Sequence, residues 1–308
     1  MKTSRMILLS SLISTSVLAL CLFPNIKNHS TSSTGLNIAK QQKFIESFSK
    51  KENENSIALE KLLKKAHFNA RVIRLIKKPA EQLPWYKYKK ILINAKRINN
   101  GSKFYHQYQT WIKKAEQKFH VPGNIIVAII GIESNYGQRM ATFNSLDALS
   151  TLAFAYPKRE KFFQQELWAY IKLLKRDNLN PQLVSGSYAG ALGLPQFMPS
   201  NYIKLGINFH GNKTVDLLHD PIDSIGSVAN FLSHHGWKDL HKPLTHKLPN
   251  ARKIKPPTFL SLETTKNTFE TWETSANFKV LLSYNNSPLY AMAVSELAML
   301  IDKAIHKL

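Results

Sequence analysis

The chain of 308 residues is poor in several things at once. Cys21 is its single cysteine, so no intramolecular disulfide can form. The cysteine has no partner in any zinc-type spacing. None of the 11 histidines falls in an H-E-x-x-H arrangement, so no metal site is expected. No P-loop or dinucleotide fingerprint occurs, which leaves no expected cofactor, and "GSYAG" does not match the nucleophile elbow of serine hydrolases. Repeats of 20 to 50 residues are absent, which excludes a solenoid. Acidic residues are scarce: 20 stand against 42 lysines and arginines, a net charge of +22. That excess favours polyanionic partners, whether nucleic acid, anionic lipid or an anionic wall polymer.

The N-terminus narrows the choice. "MKTSRMILLSSLISTSVLALCLF" sets Lys2 and Arg5 before an apolar run from Met6 to Phe23. Residues 1–23 therefore read as an export signal or membrane anchor. Cys21 closes "LALC", the place of the lipidated cysteine in a bacterial lipoprotein signal. Leu20 precedes it where such signals carry a small residue, so an uncleaved anchor is the equal alternative. Residues 24–40 are small and polar and read as a tether, leaving 41–308 as one domain. An exported body rarely meets nucleic acid, so no nucleic-acid partner is expected.

Apolar residues recur three or four apart through most of the chain, which predicts a mainly α protein. "DPIDSIGSVANFLSHHGW" carries Asp220 as an N-cap, Pro221 at the first helical position and Gly236 just past the end. Between about Lys238 and Glu273 prolines, lysines and threonines dominate, with room for short strands only; "FKVLLSYN" reads as a further strand.

The chemistry centres on "GIESNYG". Ten uncharged residues, "VPGNIIVAII", followed by Gly131 and Ile132, lead to Glu133. A carboxyl held against apolar surface resists ionisation, so its pKa rises toward what a general acid needs near neutral pH. The plain alternative is a helix-terminal glutamate swung into solvent, and local sequence leaves both open. Gly137 is expected to end the helix. Ser134, Asn135 and Tyr136 could supply hydrogen bonds or contacts to a sugar. The nearest carboxylates in the chain are Glu116 and Asp147, neither on the same helical face. Aromatics (Trp85, Tyr86, Tyr88, Tyr136, Tyr188, Phe197, Tyr202, Tyr284, Tyr290) gather beside turns, where rings can face either pyranose rings or the core.

"KPAEQLPWYKY", "GIESNYG", "LDALSTLAFAYPKREKFFQQEL", "GSYAGALGLPQFMPSNY", "DPIDSIGSVANFLSHHGW" and "YNNSPLYAMAVSEL", in that order, resemble the lytic murein transglycosylase B family. The resemblance runs from about Lys77 to the C-terminus. It implies an α+β fold: a lysozyme-like helical core with an added helical region and a small irregular β part. It implies cleavage of the β-1,4 bond between N-acetylmuramic acid and N-acetylglucosamine of peptidoglycan without water, leaving a 1,6-anhydromuramic acid end. Glu133 would be the sole general acid and base. By motif, Ser187 matches the serine that orients the N-acetyl group, and Gln196 and Phe197 match groove residues beside the acid. Tyr88, Tyr284, Asn285 and Tyr290 match residues lining the sugar subsites. Some members carry a calcium loop after "QFMPSSY"; here Asn208, His210 and Asn212 replace its carboxylates, so no tight calcium site is expected. The enzyme would be a monomeric carbon–oxygen lyase of the periplasm, held to a membrane by its anchor or lipid. The alternatives are a hydrolytic muramidase of the same fold and a non-catalytic wall-binding protein.

Overall fold

The computed structural model describes residues 35–77, 83–212, 214–238, 240, 244–248 and 259–307. The export signal, Cys21 and most of the tether lie outside the described residues.

Among the described residues six helices precede the central one, the first five being α1 (Ile38–Glu52), α2 (Ser56–Leu63), α3 (Ala70–Ile76), α4 (Trp85–Leu92) and α5 (Ala95–Gln107). Helix α6 (Gln109–Phe119) then leads into α7 (Gly123–Ser134). Scarce acid shows in how these helices begin. Asn37, Asn55, Asn69 and Asn94 cap α1, α2, α3 and α5, each side chain accepting a backbone N–H of the first turn. Asparagine satisfies these orphan donors as well as aspartate does, without charge.

Strand β1 (Phe143–Asn144) opens α8 (Ser145–Ala155), with Asn144 as a fifth asparagine cap. A short 3₁₀ turn leads to α9 (Glu160–Arg176), and β2 (Ser185–Gly186) returns antiparallel to β1. Isolated bridges tie Gly186 to Leu192 and Leu192 to Phe197, folding this segment back on itself twice. Helix α10 (Pro199–Leu205) and α11 (Pro221–His234) follow. Asp220 caps α11, Pro221 takes its first position, and Gly236 lies just beyond it at φ +91°.

Strands β3 (Thr245–Lys247), β4 (Phe259–Thr265) and β5 (Thr268–Thr274) form an antiparallel sheet in the order β3-β5-β4. Two helices close the chain, α12 (Ala276–Tyr284) and α13 (Pro288–Ile305). The strand expected at "FKVLLSYN" is thus corrected to a helix. Ser275 caps it, and Asn277, Val280, Leu281 and Tyr284 are all buried, the i, i+3, i+4, i+7 spacing of one helical face.

Helix α7 is the axis of the core. Residues Ile125–Ser134 are buried on every side, as a stretch without charge requires. Around it pack α5, α6, α11 and α13. A second layer joins α8, α9, α1 and α10. Helix α13 runs antiparallel to α7: Tyr290 in its first turn meets Glu133 in the last turn of α7. Among the described residues no helix is long and apolar enough to cross a membrane.

Candidate active site

Glu133 does not swing into solvent. It is 1% exposed, the only break in an otherwise uncharged buried helix. The helix stops one residue later, at Ser134, earlier than Gly137 would place it. Asn135, Tyr136 and Gly137 take φ of +50°, +60° and +80° in succession, so Asn135 is the turning residue. Asparagine tolerates the left-handed region, which explains a stop ahead of the glycine. Ser134 and Tyr136 also prove to be structural. Ser134 Oγ donates to Ile130 O and accepts from Gly137 N. Tyr136 folds back under the helix, its hydroxyl donating to Arg97 O at 3.0 Å. Gly131 makes the room, since a Cβ there would sit 2.4 Å from the Tyr136 hydroxyl.

Burial pushes the Glu133 carboxyl well above its ordinary range; a bond from Tyr290 pulls it part of the way back. The Tyr290 hydroxyl donates to Glu133 Oε1 at 2.8 Å, while Oε2 has no partner among the described residues. Burial, then the nearby glutamate, raises Tyr290 in turn, so it stays a proton donor. Tyr284 stacks on Tyr290 with ring centroids 6.3 Å apart and anchors its hydroxyl on Pro195 O at 2.6 Å. Phe197 packs against Tyr284 at 5.8 Å. Tyr88 is fully buried and close enough to influence Tyr290.

The remaining expected residues lie around this chain of contacts. Gln196 sits at φ +51°, a conformation glutamine rarely holds, and its amide donates to Gly193 O at 2.7 Å. Its Oε1 has no partner among the described residues. Asn285 is buried with neither amide atom bonded among them. Ser187 is one backbone ladder away from Phe197, through Ala191 and Leu192. Its Oγ accepts from Ala189 N and Ala191 N at 3.2 and 3.0 Å. Both acceptor sites being used, its O–H is left to donate. Direct contacts join Glu133 to Tyr290, Tyr290 to Tyr284 and Tyr284 to Phe197; Ser187 is not part of this chain of contacts.

Two further buried carboxylates escaped the reading of the sequence, and both hold structure. Glu166 accepts from Ser200 N at 3.0 Å and Ser200 Oγ at 2.7 Å, fixing the start of α10. Asp223 accepts from Phe209 N, His210 N and Asp216 N, all within 3.0 Å. Glu166→Ala should therefore cost about 2–3 kcal/mol, measured as a shift in urea midpoint, by stranding the Ser200 donors. Asp223 also shapes the 208–220 loop, where His210 Nδ1 lies 2.7 Å from Asp220 Oδ2 and Asn212 donates to the same oxygen. Among the described residues no group of three or more His, Cys, Asp or Glu could hold a metal ion.

Comparison with known proteins now decides the family. A family model described as "Transglycosylase SLT domain" matches residues 39–253 and 241–299. The chain belongs to that transglycosylase family. Membrane-bound lytic murein transglycosylase B of Escherichia coli (strain K12) is 31% identical over 300 residues, spanning 85% of this chain and 82% of its own. The lytic transglycosylase SLT35 of Escherichia coli, solved in complex with bulgecin A, superposes with a TM-score of 0.81 at 31% identity, over 90% of this chain and 96% of that one. Soluble lytic transglycosylase SltB1 of Pseudomonas aeruginosa gives 0.79 at 31% identity, over 86% and 99%. The transglycosylase fold is therefore the mainly helical, lysozyme-like one expected.

Proposed function

We propose that this transglycosylase cleaves the β-1,4 bond between N-acetylmuramic acid and N-acetylglucosamine of peptidoglycan with Glu133 as its single acid and base. One observation carries the assignment. Of the three buried carboxylates among the described residues, only Glu133 keeps an oxygen without a partner. Glu166 and Asp223 are taken up by Ser200 and by three backbone amides. A two-carboxylate hydrolysis needs a second available acid across the sugar. A single group suits intramolecular chemistry.

The protonated Glu133 gives its proton to the glycosidic oxygen as the bond to the anomeric carbon breaks. The substrate's own acetamido oxygen supports the positive carbon, and the Ser187 O–H is the donor suited to orient that acetamido group. The Glu133 carboxylate then takes the proton of the C6 hydroxyl. Oxygen 6 closes on carbon 1, giving the 1,6-anhydro ring and restoring the acid. Nothing is added from water, and holding both reacting atoms in one sugar supplies much of the rate. Tyr290 holds Glu133 Oε1, which leaves Oε2 as the oxygen for proton transfer. Tyr88, Tyr284, Gln196, Phe197 and Asn285 frame the sugar subsites around it.

Mass spectrometry of purified peptidoglycan digested with the protein tests the reaction. Anhydro-ended fragments, lighter by one water than hydrolytic ones, are the expected product; reducing ends instead would sink the water-free mechanism. Tyr290→Phe tests the tuning. The lost bond should raise Glu133 further, so the alkaline limb of the pH–rate profile moves to higher pH while kcat falls about tenfold. A limb that stays in place would show that the hydroxyl does not govern the carboxyl.

The Escherichia coli relative is named as membrane-bound. With the basic and apolar start of this chain, that supports export and a membrane tether, through Cys21 or through the uncleaved anchor. The +22 charge favours an anionic wall polymer as the neighbour. Fatty-acid labelling lost in Cys21→Ala would show lipidation.

A further inference from the structure

The chain has 42 lysines and arginines, and among the described residues the fold buries one of them. Arg97, in the first turn of α5, is 5% exposed. Taking a cation out of water is costly, so its place needs a reason. The reaction described above makes no use of it. Its guanidinium ends helix α4: Nη1 donates to Ile91 O at 3.1 Å and to Leu92 O. These are the last two carbonyls of α4, which find no acceptor role within the helix and sit at the negative end of its dipole. Helix α4 has eight residues and no side-chain cap at its start, and so short a helix does not hold itself in place. It carries Tyr88, fully buried and close enough to act on the Tyr290 hydroxyl.

The backbone of the same residue reaches the other side of the site. Arg97 O accepts the Tyr136 hydroxyl at 3.0 Å. Tyr136 stands in the left-handed turn that follows α7, three residues beyond Glu133. Gly101 helps to clear its path as Gly131 does, since a Cβ at Gly101 would fall 2.5 Å from the Tyr136 hydroxyl. The Tyr136 ring then lies 5.5 Å from that of Phe104, against α5. Arg97 thus holds the end of α4 with its side chain and the turn behind Glu133 with its carbonyl. The two elements meet again at the acid: Tyr88 lies near Tyr290, and Tyr290 bonds Glu133. A methionine would fill the same space without the cost of desolvation. What the guanidinium adds is directed bonds to two neighbouring carbonyls.

We propose that Arg97 is a positioning residue for glycan cleavage, a strut that sets the helix carrying Tyr88 against the turn that follows Glu133. The proposal rests on the glycan-cleaving reading above. Proton transfer to the glycosidic oxygen tolerates little displacement of the acid, so loosening the strut should cost rate more than it costs binding.

The test is steady-state cleavage of a glycan tetrasaccharide of alternating N-acetylglucosamine and N-acetylmuramic acid, over a series of pH values. Arg97→Lys keeps the charge and loses the planar fork. Tyr136→Phe keeps the ring and loses only the bond to Arg97 O, and it decides the matter if Arg97→Lys does not fold. Asn69→Ala, which uncaps α3, is the control for lost stability: its melting temperature should fall while kcat stays. In Arg97→Lys kcat should fall about tenfold and in Tyr136→Phe about threefold, with KM within about twofold of the wild type. The double variant should lose little more than Arg97→Lys alone, because both changes cut one line of contacts. The alkaline limb of the pH–rate profile should stay in place, since the bond from Tyr290 to Glu133 is kept. Wild-type kcat in Tyr136→Phe and in folded Arg97→Lys, a loss carried by KM alone, or a limb that moves would each overturn the positioning role. Reducing ends in wild-type digests, with the kcat losses intact, would overturn the water-free reading and leave the strut standing.

Discussion

Glu133→Gln is expected to lower the rate of anhydro-fragment release by about 10³-fold or more, because one side chain serves both proton transfers and, among the described residues, no other buried carboxylate is available to substitute. Glutamine keeps the acceptor that Tyr290 needs at Oε1, so the site geometry survives and the loss is chemical. The same variant has a thermodynamic signature. Burial holds the folded carboxyl protonated well above the range where the unfolded chain ionises, about pH 4.3. Between those two values the unfolded state binds fewer protons than the folded one. Stability of the wild type thus falls as pH rises, with a slope of up to about 1.4 kcal/mol per unit, and is fully retained only below the unfolded value. Glu133→Gln lacks that slope. Urea unfolding at a series of pH values should show the variant gaining on the wild type from pH 4 upward. Parallel curves for the two proteins would mean that the carboxyl titrates normally and that the acid role assigned to it is wrong.

Gly193→Ala should be the most damaging small substitution near the site. Gly193 lies at φ +70°, and a Cβ there would fall 2.0 Å from Leu217 O and 2.6 Å from Leu217 C. Those atoms are backbone, so no rotamer change relieves the clash. The adjoining Leu194 N–H bonds to that same Leu217 oxygen at 2.9 Å, and Gln196 leans on Gly193 O. Moving the strand apart breaks both and carries Gln196 and Phe197 with it. A loss of about 3 kcal/mol or more is expected, together with most of the activity. Gly211→Ala is the matched control: φ is +92°, but among the described residues nothing lies within 4 Å of the added carbon. It should cost only the conformational strain, about 1 kcal/mol, and leave activity alone. Equal costs in chemical denaturation would show that the backbone contact at Gly193 can yield.

The helical class was legible because it is local: an uncharged run marks a buried helix. Caps at Asp220, Pro221 and Gly236 were legible for the same reason. Whether the glutamate that closes the run stays inside was open in the local sequence; the family motifs pointed to it as the acid, and its burial is a property of the fold. What the residues alone could not show were long-range meetings. Tyr290 reaches Glu133 across 157 positions. Glu166 reads as one more charge on an amphipathic helix until the start of α10 arrives to use it. Trp85, Trp237 and Trp272 gather around one concavity from α4, from just past α11 and from β5. The α12 segment misread as a strand because four apolar residues in a short run satisfy either period; burial of Asn277 with Val280, Leu281 and Tyr284 settles it.

The asparagine caps have a consequence for life in acid. An aspartate cap weakens when its carboxyl takes a proton, whereas an amide has none to take. Five helix starts, at Asn37, Asn55, Asn69, Asn94 and Asn144, are therefore indifferent to acidification. The same fall in pH keeps Glu133 in its proton-donating form. Scaffold and catalyst thus tolerate one and the same excursion, and activity in a souring medium would fail first at the proton-accepting half of the cycle rather than by melting of these helices.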